Sequence, residues 1–161
     1  MYNYLYSMSR IADQPELNFP RPTLIARSSE KYDEIQCLVR RKWIKLEPEE
    51  WVRQHLIAYL CNSLGYPLGL MAVEHRLKLN DVEKRADLVC YNNQGQPVLL
   101  AECKAPKIKL SQDTLDQAAR YNLVLNVPNL LLTNGNQHYA VKTNIDEPDS
   151  GKTVSRSTVT K

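Results

Sequence analysis

RADLVCYNNQGQPVLLAECKAP, residues 85–106, holds two apolar runs, RADLVCY (85–91) and PVLLAECK (97–104), separated by the turn residues NNQGQ. Runs rich in aliphatic residues on either side of an Asn/Gly-containing loop predict a β-hairpin. A loop centred between Gln94 and Gly95 sets Leu88 opposite Ala101, Val89 opposite Leu100, Cys90 opposite Leu99 and Tyr91 opposite Val98. Apolar then meets apolar on both faces, and a slip of one residue would turn every side chain over, so the register is self-consistent. The same register sets Asp87 opposite Glu102.

Facing side chains of an antiparallel pair have Cβ atoms about 5 Å apart, and like charges there destabilise the sheet. Two carboxylates so placed need a shared proton, which raises one of their pKa values, or a divalent cation. Oxygen ligands that leave positions open to water suit magnesium or manganese. Strand alternation puts Lys104 on the face of Glu102, with Cys103 pointing the other way. Two acids and an ammonium match hydrolysis of a phosphodiester, in which a metal polarises the phosphate and acidifies water while a cation meets developing charge. An Glu-x-Lys pair on a strand is more often a surface ion pair, but ADLV and LLAE are too apolar for an ordinary solvated face, and uncompensated charge there is costly.

Outward from the hairpin, PEEWVRQHLIAYLCNSLGYP predicts a helix. Pro48 suits its first turn, Val52, Leu56, Tyr59, Leu60 and Ser63 share a face, and Gly65 with Pro67 stops it. LMAVEHRLKL (70–79) predicts a strand. LSQDTLDQAARYNLVLNVP predicts a second helix, capped by Ser111 or Asp113, running to Leu125 and stopped before Pro128. NLLLTNGNQHYAVK predicts two short strands about a turn at 134–136. The order helix, three strands, helix, two strands implies an α/β or α+β domain with a mixed sheet of about four to five strands flanked by helices on both faces. Residues 1–30, with NFPRP at 18–22, are expected to form an extended N-terminal arm, 31–143 the folded domain, and the polar segment 144–161 a disordered tail.

A chain of 161 residues that is 43% hydrophobic suffices for one core. Its 21 Lys and Arg against 18 Asp and Glu give a formal charge of +3, which permits a polyanionic partner without demanding one. The N-terminus lacks the apolar core of a signal peptide, and no apolar run approaches the roughly 20 residues of a membrane helix, so a cytoplasmic protein with no membrane association is expected. Cys37, Cys61, Cys90 and Cys103 lack paired spacing, which disfavours structural zinc and reads as reduced core thiols. His55, His75 and His138 have no ligand spacing.

Asp87, a hairpin and then Glu102-Cys103-Lys104 resembles the PD-(D/E)XK nuclease superfamily, with Ala86-Asp87 where that name has Pro-Asp. More narrowly, PEEWVRQHLIAYL, GYP, RADLVCY, LLAECKAP, DQAARYN and LLLTNG, in that order over about residues 45–137, resemble the N-terminal nuclease domain of type I restriction enzyme R subunits, in a stand-alone version. The resemblance implies a restriction-endonuclease-like fold and Mg2+- or Mn2+-dependent cleavage of DNA. It implies that Asp87, Glu102 and the backbone carbonyl of Cys103 bind the metal and that Lys104 assists the water. Gln117 and Tyr121, an i, i+4 pair on one helical face, match residues beside the active site of related nucleases. Gln117 is expected to contact phosphate or water, Tyr121 to orient the site, and neighbouring Arg120 to reach a phosphate. An ordinary amphipathic helix with Tyr121 in the core is the plainer alternative.

The family's first helix also contributes an acid, and Glu49 and Glu50 are both candidates. At about 100° per residue Glu49 shares the face of Val52, Leu56 and Leu60, so Glu49 is the expected site acid and Glu50 is assigned to dipole compensation. Basic residues at Arg40, Arg41 and Lys42, and at Lys104, Lys107 and Lys109, can form a sequence-independent DNA footprint or simply solvate the surface. The chain has no room for the translocating ATPase of a full restriction subunit, so besides DNA it is expected to act alone, as a homodimer, or with a motor or specificity subunit in trans. The reading from another class is a non-catalytic module that keeps the nuclease fold and binds nucleic acid or protein.

Overall fold

The hairpin forms because its turn closes locally. Oδ1 of Asn92 accepts from the amides of Gln94 and Gln96 at 3.0 and 2.9 Å, and Gly95 takes φ +74, a conformation that favours glycine. The computed structural model describes residues 13–79, 81–143 and 155–158. Their elements are β1 (Ala26–Ser28), β2 (Asp33–Gln36), β3 (Trp43–Lys45), α1 (Pro48–Asn62), a 3-10 turn (Leu68–Leu70), β4 (Met71–Leu79), β5 (Val82–Tyr91), β6 (Pro97–Cys103), α2 (Gln112–Leu125), β7 (Asn129–Thr133), β8 (His138–Lys142) and β9 (Ser155–Thr158).

The β5–β6 register is the expected one at Leu88–Ala101, Val89–Leu100 and Cys90–Leu99. It departs at the loop end, where Tyr91 faces Pro97 instead of Val98 across a bulge. The amide of Asn92 bonds the carbonyl of Gln96 at 2.9 Å, making the loop asymmetric. Pro97, lacking an N–H, is tolerated as the first residue of a strand.

The larger sheet has the order β4-β5-β6-β7-β8-β9, and a separate three-stranded sheet has the order β1-β2-β3. Only β6 and β7 are parallel within the larger sheet. That connection demands a crossover, which α2 supplies. Ser111 caps α2 in a reciprocal pair with Thr114, satisfying two amides that the first turn would leave open.

The two sheet faces build separate cores. Leu88, Cys90, Leu99, Ala101 and Cys103 pack with Val52, Leu56, Ile57 and Leu60 of α1. Val89, Leu100, Leu130 and Val141 form the other cluster, against which Leu115 and Leu125 of α2 pack. The domain is thus an α+β fold with one helix on each face of a mixed sheet.

Three features differ from expectation. Leu17 and Phe19 of the arm pack on the α1 core, and β1 pairs with β2, so a division at residue 30 cuts through the small sheet. Within the segment expected to be a tail, β9 pairs with β8 at the edge of the sheet, and residues 144–154 and 159–161 of that segment lie outside the described ones. The reason is the backbone edge of β8, which a polar segment can pair through its main-chain groups alone. Finally, α1 is not two-faced: Glu50, Val52–Ala58 and Leu60 are all buried.

Candidate functional site

Asp87 sits where β5 changes face. Ala86 belongs to the α2-side core, whereas Leu88 and Cys90, which share its parity along the strand, belong to the α1-side core. Opposite, Glu74 of β4 has φ +52, and the ladder steps from Val73–Leu88 to His75–Ala86 across it. This irregularity aims the Asp87 carboxylate so that Oδ2 accepts the amide of Cys103 at 2.7 Å. The side chain thereby ties β5 to β6 just past the last shared rung, Leu88–Ala101.

Glu102, on β6, is only 5% exposed. Its Oε1 is buried without a hydrogen-bond partner among the described residues. Burial first, and then the Asp87 carboxylate, push its carboxyl up to about 9, against a smaller opposing pull from Lys104. An uncompensated buried carboxyl beside a second acid is costly unless it keeps its proton or gains a cation. Lys104 is half-buried, and its amide bonds the carbonyl of Thr133 at 2.8 Å, carrying the β6–β7 pairing one residue past the strand.

The turn after β7 holds the segment beyond Lys104. Asn134 is buried. Its Nδ2 donates to the carbonyl of Ile108 at 2.8 Å while its Oδ1 accepts the amides of Asn136 and Gln137. Gly135 has φ +88, and its amide bonds Oγ1 of Thr133 at 2.9 Å. LLLTNG is thus a brace for the loop carrying Lys104 to Lys109, a role its turn-like composition alone did not announce.

The facing expected for the first helix is corrected. Glu49 is exposed, and Glu50 is 8% exposed. Glu50 accepts from Nη1 of Arg53 at 2.5 Å and from Nε2 of Gln54 at 2.7 Å. Nη2 of Arg53 reaches Oδ1 of Asp87 at 2.6 Å. An inward Glu49 supposes a single solvent face, whereas α1 is covered round most of its girth and so buries polar residues too. The usable signal was the spacing of Arg53 and Gln54, three and four residues after Glu50, where helical neighbours meet. Although burial opposes the Arg53 charge, Asp87 and Glu50 outweigh it and raise its pKa further.

The remaining expected residues lie farther out. Gln117 and Arg120 are exposed on α2, and neither hydrogen bonds to the carboxylate pair among the described residues. The side chain of Tyr121 lies outside the described ones. Of the basic clusters, Arg41, Lys42, Lys107 and Lys109 are exposed. Arg40 instead pairs with Glu74 at 2.5 Å and donates to the sulfur of Cys37, so it is occupied internally.

Chemically, Asp87 and Glu102 fit a divalent cation: one is oriented by two donors, and the other has a buried oxygen awaiting a partner. No group of three or more His, Cys, Asp and Glu among the described residues is arranged to hold a metal. An ion here therefore depends on a main-chain oxygen and water to complete its shell. No helix among the described residues is long and apolar enough to cross a membrane.

The sequence matches the family model described as type I restriction enzyme R protein N terminus (HSDR_N) over residues 48–155. No curated protein matches the chain.

Proposed function

We propose that this chain, which belongs to the family of type I restriction enzyme R protein N termini, is a metal-dependent DNA endonuclease. The observation that carries the proposal is the buried, unpartnered Oε1 of Glu102 beside the oriented carboxylate of Asp87. Asp87, Glu102 and the carbonyl of Cys103 would hold Mg2+ or Mn2+. When bound, such an ion supplies charge that polarises a phosphate and lowers the pKa of water.

The chain's own residues supply the rest. Glu102 must release its proton to become a ligand, and the nearby Lys104 ammonium favours that release. Lys104 also sets a positive charge where the phosphate gathers negative charge, and it orients the attacking water. Gln117 and Arg120 are available to phosphate, and Tyr121 is assigned to orienting the site. Arg41, Lys42, Lys107 and Lys109 give sequence-independent contacts to the backbone of DNA. Paired cuts would come from a homodimer, and a motor or specificity subunit would act with it in trans.

A second reading has one observation in its favour. Both Asp87 oxygens are already engaged, by Arg53 and the Cys103 amide, as they would be in a module that binds and does not cut. Incubation with supercoiled, linear and single-stranded DNA, in Mg2+, Mn2+ or chelator, separates the two. Metal-dependent nicking is expected, reduced at least about a hundredfold in Asp87→Ala and Lys104→Ala. Nicking that persists in either variant overturns the site, and binding without cleavage in every condition selects the module.

A further inference from the structure

Arg53 is one of the most buried charges among the described residues, at 5% exposure, and it joins two carboxylates that arrive from different elements. Nη1 contacts Glu50 within α1, and Nη2 contacts Asp87 on β5. Behind Glu50 stands Gln54, fully buried, whose Oε1 accepts the amide of Leu38 at 2.9 Å. A continuous chain therefore runs from the Leu38 amide through Gln54, Glu50 and Arg53 to Asp87, and ends on the Cys103 amide.

A lone arginine on Asp87 would cancel the charge a cation needs from it. Glu50 supplies a second negative charge, so the three groups together keep one net negative charge while one arm of the guanidinium holds Oδ1 of Asp87 and the other holds Glu50. Orientation and neutralisation are thereby separated: Arg53 performs the first, and Glu50 prevents the second.

Resting on the function proposed above, we infer that Arg53 is a positioning residue that presents Asp87 to a divalent cation, with Glu50 as its charge balance. Partners behind a metal ligand typically change metal affinity about 10- to 100-fold when removed. Because Glu50 acts by offsetting Arg53, the two should be strongly coupled, unlike independent sites.

The test is Mn2+ binding to the full chain by titration calorimetry for wild type, Glu50→Gln, Arg53→Lys, Arg53→Met and the double variant Glu50→Gln/Arg53→Met. Hydrogen exchange at the Cys103 amide reports the Asp87 orientation independently of metal. Each single variant is expected to lose about tenfold or more in Mn2+ affinity, and the double variant less than the sum of its parts. Faster exchange at Cys103 is expected in Arg53→Lys, which keeps the charge and loses the fork. Should Arg53→Met not fold, Glu50→Gln and Arg53→Lys, both milder changes, decide the matter. Variants that bind Mn2+ as wild type does, with Cys103 equally protected, overturn this inference alone. A wild-type chain that takes up no Mn2+ overturns the nuclease reading along with it.

Discussion

At the residue scale, the chemistry concentrates on Glu102. Its carboxyl, held up at about 9 against an ordinary 4.5, keeps a proton that the unfolded chain releases over most of that interval. Stability from this group is therefore complete below about pH 4.5 and is lost as pH rises through about 9. Glu102→Gln removes the titration and leaves an amide that is neutral at every pH. In chelator, the wild-type urea midpoint is expected to fall between about pH 6 and about pH 9 by more than that of Glu102→Gln, measured by circular dichroism. Equal pH slopes for the two proteins would show that Glu102 ionises freely. Glu102 and Lys104 were legible as a pair in AECK from alternation alone. Arg53 was not, because a charged residue in a helix reads as solvated until the elements covering that helix are known.

At the element scale, the turn after β7 is where the N-terminal arm meets the domain. The amide of Asn18 bonds the carbonyl of Gly135 at 2.7 Å, and the Asn18 carbonyl contacts Nε2 of His138 at 3.1 Å. Phe19 packs against the ring of His138 at 4.6 Å between centroids, and Nε1 of Trp51 donates to the carbonyl of Pro15 at 3.0 Å. A Cβ on Gly135 would lie 2.7 Å from Cδ2 of Leu17, in a backbone at φ +88 that side chains rarely adopt. Gly135→Ala is therefore expected to cost about 1 kcal/mol or more and to loosen the arm. Limited proteolysis within residues 13–24 and the thermal midpoint check it, and an unchanged digestion pattern would separate the arm from the turn. The hairpin, both helices and the β7–β8 pair were legible because turn and cap residues act locally. The bulge at Tyr91 and the pairing of β9 were not, since each depends on backbone partners distant in the chain.

Over the whole molecule, the family match begins at residue 48, so the arm and the β1–β3 sheet lie outside the matched region while packing on it. Trp43 carries the Arg27 guanidinium 4.2 Å over its ring, and Ile35 and Cys37 are fully buried, so this small sheet has a core contact of its own. Two histidines partly shielded from water, the buried His55 and the half-buried His138, set the acid limit. Burial holds His55 and His138 below the ordinary 6.5, so the unfolded chain takes up protons that the folded one refuses, and stability falls as pH drops below about 6.5. Glu74, held below its ordinary value by Arg40 despite the opposing effect of burial, adds to the loss further down. With Glu102 acting in the opposite sense, the unfolding midpoint is expected to peak near pH 6.5. A midpoint rising steadily toward pH 9 would contradict the Glu102 assignment, and one that does not fall below about pH 6.5 would contradict that of the histidines. Replacing His138 by Gln should flatten the acid limb.

The sequence by itself determined the helices and strands, the hairpin register around Val89 and Leu100, and the convergence of Asp87, Glu102 and Lys104. Each of these follows from alternation, capping and turn chemistry acting over short separations. Only the tertiary structure decided that Glu50, and not Glu49, faces inward, that Arg53 joins it to Asp87, and that the arm and β9 complete the fold. Those outcomes turn on what covers a surface. A helix between a sheet and a docked arm buries residues all round, and no periodicity along its own sequence reveals which of its charges will find partners.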